Sequence, residues 1–118
     1  MWYRLIKQNQ ASNVGIPNVV IEGPDRDIVE EALKEIQSND PNSFLEVNKI
    51  IVDVSGGSSL GHVSSGAHTN IIISIRNIEN VINSKYPEVP KSKVNAEYRS
   101  LLKQEIKRTI MHELGHVL

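Results

Sequence analysis

Val47-Asn48-Lys49-Ile50-Ile51-Val52-Asp53-Val54 centres on an unbroken β-branched run, and Asn70-Ile71-Ile72-Ile73-Ser74-Ile75-Arg76 repeats the pattern. Side chains that are stiff at χ1 pack well on a pleated surface, so both stretches predict strands of one sheet. Upstream, Val19-Val20-Ile21 stops at Gly23-Pro24, which predicts a short strand entering a turn. A helix should follow over Asp25 to Ser38. Asp25 or Asp27 can cap it, and Ile28, Val29, Ala32, Leu33 and Ile36 recur at helical spacing until Asn39-Asp40-Pro41 ends the pattern. Such an amphipathic helix lies on a sheet.

The segment from Ser55 to His68 is rich in Gly and Ser and holds a loop with one short edge strand near Leu60 to Ser64. Its glycines do not form a phosphate cradle, since no Gly-Lys-Ser/Thr follows and no helix opens there. Asn77 to Val94 is polar and interrupted by Pro87 and Pro90, so it reads as a connection with a short helical turn around Ile78 to Ile82. Asn95 or Ser92 then caps a last helix from about Ala96 to the end, with Leu102, Ile106, Ile110, Leu114 and Val117 as its core-facing stripe. Trp2 to Ile6 is a candidate N-terminal strand. The expected fold class is α+β: a mixed β-sheet with a backing helix and a C-terminal helix packed on it.

At 118 residues the chain fits a single domain, 1–118, and its 39% hydrophobic and 23% charged residues are ordinary for a folded globular protein. A formal net charge of -1 with mixed signs gives no footprint for nucleic acid or an acidic membrane. Neither partner is expected, and the composition leaves oligomeric state open. Cysteine is absent, which removes disulfides, thiolate zinc sites and a thiol nucleophile together, leaving His and carboxylates as possible metal ligands. No apolar stretch of signal-peptide length follows Met1, so a native start there would imply the cytoplasm.

The chemistry concentrates in His112-Glu113-Leu114-Gly115-His116. Residues four apart on a helix share a face, so the His112 and His116 imidazoles can converge on one Zn2+ without backbone strain. Glu113 lies about 100° around the helix from His112, beside the metal but off the ligand axis, where a carboxylate can take a proton from water as general base. On a helical wheel it falls within the arc of Leu102, Ile106 and Ile110, where an unpaired carboxylate costs several kcal/mol as an order of magnitude, and a neighbouring metal and water would offset that. Gly115 costs about 1 kcal/mol relative to alanine inside a helix, which close approach of another segment would explain. His62 and His68, in the Gly/Ser-rich segment, are reserve ligands.

His112-Glu113-Leu114-Gly115-His116-Val117-Leu118 resembles the active-site helix of zincin metallopeptidases. Gly115 and the apolar pair after the motif resemble the metzincin branch, archaemetzincins included. The order of backing helix, sheet with edge strand and motif helix resembles a zincin N-terminal subdomain. The resemblance implies a zinc-dependent metallopeptidase acting on peptide or protein substrates. In it His112 and His116 hold zinc, Glu113 polarises water, and the edge strand near Leu60 to Ser64 holds the substrate backbone by strand addition. Where metzincins continue to a third His, and gluzincins supply a Glu from a later helix, the sequence ends at Leu118. The third ligand and a C-terminal subdomain are missing from it. The expectation is therefore a truncated peptidase with weak zinc affinity and little or no activity of its own. The alternative is a zinc-binding or protein-interaction domain without turnover.

Overall fold

The computed structural model describes residues 19–44, 46–55, 59–64, 66 and 68–117. Among them the chain forms β1 (Val20–Glu22), α1 (Arg26–Asn39), β2 (Lys49–Asp53), β3 (Gly61–Ser64), β4 (Asn70–Ser74), α2 (Ile75–Lys85) and α3 (Ala96–Val117). The candidate strand at Trp2 to Ile6 lies outside the described residues. The architecture is mixed α+β, a four-stranded mixed sheet with three helices, in the strand order β1-β2-β4-β3.

β1, β2 and β4 are parallel, with Ile21 opposite Ile50 and Ile50 opposite Ile71. α1 supplies the crossover that a parallel β1–β2 pair requires. β3 runs antiparallel on the far side of β4, with Gly61 opposite Ile73 and Ser64 opposite Asn70. The chain thus leaves β2, forms the edge, and turns back to insert β4 between them. Ile50, Val52, Ile71 and Ile73 alternate onto one buried face of the sheet. They join Leu33 of α1, Ile78 and Ile82 of α2, and Leu102, Ile106 and Ile110 of α3 in the core.

The structure corrects the expected two-helix arrangement. Asn70 to Arg76 is not one strand, because the chain turns into α2 at Ile75. The Ser74 hydroxyl accepts from the Asn77 backbone N–H at 3.3 Å, capping the new helix. Ile75, Ile78 and Ile82 then fall on one face and are buried, so an 11-residue helix replaces the short turn expected at Ile78 to Ile82. At α1, Asp25 occupies the cap position with φ 59° but offers its side chain to Lys93, whose Nζ lies 2.8 Å from Oδ2. Asn95 caps α3, its Oδ1 accepting from the Tyr98 N–H at 3.0 Å.

α1 and α3 pack side by side, and a row of ion pairs closes their outer seam. Arg99 Nη2 reaches Glu31 at 2.6 Å and Asp27 at 3.2 Å, and Lys103 Nζ reaches Glu35 at 2.6 Å. The Lys103 hydrogen bond, against desolvation and with help from Lys107, holds the Glu35 carboxyl below its ordinary range. Exposed pairs of this kind contribute at most about 1 kcal/mol each, so the apolar face fixes the position of α3 and the seam fixes its rotation.

Among the described residues no helix is long and apolar enough to cross a membrane.

Candidate metal centre

His112, Glu113 and His116 lie in the last two turns of α3. His112 and His116 are exposed, and their Nε2 atoms stand 3.3 Å apart with the rings nearly perpendicular at 83°. Two imidazole nitrogens on a tetrahedral zinc at about 2.05 Å would be separated by about 3.3 Å. The pair has the spacing such an ion requires, and the same contact is a hydrogen bond between the two rings.

Glu113, next to His112 on the side of the helix that faces β3, is only 5% exposed. Its neighbour one turn back, Thr109, is equally buried and donates its hydroxyl to the Glu105 carbonyl at 2.9 Å. This polar row faces β3. A Cβ built at Gly61 would lie 2.9 Å from Thr109 Cγ2, 3.0 Å from the Ile72 carbonyl oxygen and 3.5 Å from Glu113 Cγ. Only a residue without a side chain lets the edge strand approach α3 this closely. Gly61→Val should therefore cost about 1–3 kcal/mol through overpacking against a carbonyl that cannot yield. Urea unfolding would show it, and a variant as stable as the parent would refute the close fit.

A cleft of about 340 Å³ opens where the two elements meet, with Ser59, Leu60 and Gly61 on one wall and Arg108, Thr109, His112 and Glu113 on the other. The first wall is pinned from behind. Asn77 Nδ2 donates to the Ser59 carbonyl at 2.8 Å, and the Ser74 N–H donates to the Leu60 carbonyl at 2.8 Å.

The reserve histidines do not join the pair. Gly61 faces α3, so by strand alternation His62 projects from the opposite face of the sheet. His68 is exposed at a bend beyond Ser64, the end of β3 away from Gly61. Among the described residues no group of three or more His, Cys, Asp or Glu side chains is placed to hold a metal ion.

Gly115 does not serve the purpose expected of it either. A Cβ built there meets nothing within 4 Å, so no described segment approaches it closely. With no contact to disturb, Gly115→Ala should stabilise the helix end by up to about 1 kcal/mol by reducing the freedom of the unfolded chain. Thermal unfolding measures this, and a fall in midpoint would mean the position is needed bare.

Arg108, Thr109 and Gly61 escaped the sequence reading. Arg108 had one available signal, its place four residues before His112 and hence on the same helical face. Gly61 had none, because its role depends on a strand and a helix meeting.

Comparison with protein-family models, with curated proteins and with solved structures returns no match.

Proposed function

We propose that this chain carries the metal-binding part of a zinc-dependent peptidase of the zincin type. His112 and His116 are its zinc ligands and Glu113 its general base. The observation that carries the reading is the 3.3 Å separation of the two Nε2 atoms, which equals the bite of a tetrahedral zinc. Zinc bound there would supply Lewis acidity toward a carbonyl oxygen and toward water.

The remaining roles belong to the chain's own groups. His112 and His116 would hold the metal from one exposed face of α3. Glu113, lining the cleft beside His112, takes a proton from water and passes it to the leaving amine. β3 ends the sheet on the cleft side and pairs with no second strand among the described residues, so its outer edge would align an extended peptide by strand addition. The order of a helix-backed parallel sheet, an antiparallel edge strand and a motif helix is the order of a zincin N-terminal subdomain, which supports the same reading.

A non-catalytic zinc-binding or interaction domain is the second reading. It is favoured by the lack of a third ligand among the described residues. Both readings require zinc, bound weakly enough for mild chelators to strip. They part on turnover. Incubated with excess zinc and an unstructured protein substrate, the chain should cleave it slowly, and a chelator should stop the reaction. Zinc uptake without cleavage would favour the second reading, and absence of zinc uptake would defeat both.

A further inference from the structure

Arg108 stands one helical turn before His112, about 6 Å along the axis, and lines the same cleft. Its Nη1 meets Glu105 Oε2 at 3.3 Å, while Lys85 Nζ approaches the same oxygen at 3.7 Å. Glu105 is buried and its carboxylate is shared between two cations, so it does not occupy Arg108 alone, and Glu113 is the other carboxylate lining the cleft. The Arg108 side chain lines the cleft and is 66% exposed, with Nη1 in contact with Glu105. The facing wall of Ser59, Leu60 and Gly61 carries no charge. Its backbone is tied back by Asn77 and Ser74, so it cannot close over the guanidinium.

We infer that the cleft selects a peptide carboxylate, held by Arg108 about two extended residues from the bond beside His112. This rests on the peptide-cleft reading above and names its substrate class: chains with an acidic side chain, or a free C-terminus, near the metal pair. The planar fork matches both oxygens of a carboxylate, and Glu105 already fixes its orientation through one nitrogen. Because the site is half open to water, the gain is modest, about fivefold in affinity at low ionic strength, and salt reduces it.

The test uses the full chain and fluorescently labelled peptides that differ at one position: an amidated Glu peptide, its amidated Gln counterpart, an amidated Lys counterpart, and a Gln peptide with a free C-terminus. One or both carboxylate-bearing peptides should bind about fivefold tighter than the amidated Gln peptide, and which of them does so identifies the source of the carboxylate. Arg108→Gln should erase the difference, and Arg108→Glu should turn the preference toward Lys. The side chain's exposure makes both variants compatible with the fold, which circular dichroism checks. The inference is overturned if neither carboxylate-bearing peptide exceeds the neutral one, if no peptide binds at all, or if Arg108→Gln keeps the preference. Titrating with and without zinc separates the two readings: affinities indifferent to zinc count against the metal centre and leave the carboxylate comparison standing.

Discussion

His112→Ala should abolish stoichiometric zinc binding, and His116→Ala should do the same. Four-ligand structural zinc sites gain about 10–16 kcal/mol, or about 3 kcal/mol per ligand, so losing one imidazole weakens binding by about two orders of magnitude. A site that begins with two imidazoles has no reserve to absorb that loss. Their Nε2 atoms are 3.3 Å apart and act as a chelate, so the two single variants should be nearly as defective as the double variant. Both side chains are exposed, which predicts an unchanged fold. Metal analysis after dialysis against dilute zinc decides the matter. Unchanged zinc content in the double variant would remove the central claim.

Glu113→Gln should leave zinc in place while lowering turnover by about 10²–10⁴-fold, the usual contribution of a positioned general base. The structure adds a second expectation, for stability. Glu113 is 5% exposed, and among the described residues no cation pairs with it. With no ion pair to lose among the described residues, replacing it by a neutral isostere should hold the thermal midpoint of the metal-free chain. A glutamate kept for structure alone would instead lose stability on replacement. Near-normal turnover with metal retained would disprove the assignment of the base.

The motif was legible because its chemistry depends on a spacing along one helix, and the stripe from Leu102 to Leu114 fixed which side of that helix faces inward. That is why the burial of Glu113 could be foreseen from the wheel alone. The strands around Ile50-Ile51-Val52 and Ile71-Ile72-Ile73 were equally plain, since β-branched runs have few other uses. The boundary at Ile75 was not plain. A short apolar run fits a period of 2 or 3.6 equally well, and the deciding contact, Ser74 with the Asn77 N–H, is a capping bond. The short-turn expectation gave Pro87 and Pro90 too much weight and Ile75, Ile78 and Ile82 too little. The face of the sheet taken by His62 follows from the pairing of Gly61 with Ile73, a register no single strand encodes.

The placing of α3 has a mechanical consequence. From Tyr98 to Ile110 the helix is clamped, by its buried stripe on one side and by the Arg99 and Lys103 pairs to α1 on the other. Past Ile110 only Glu113 and Leu114 are buried, while Met111, His112, Gly115 and His116 stand in solvent. The helix is a beam held at one end, and the free energy needed to open a turn falls toward Val117. An ion held by His112 and His116 would tie these two turns together, and part of its binding free energy would go into arresting that motion. Occupancy should thus be written in the slowed amide exchange of residues 112–117, with the strands beneath scarcely responding.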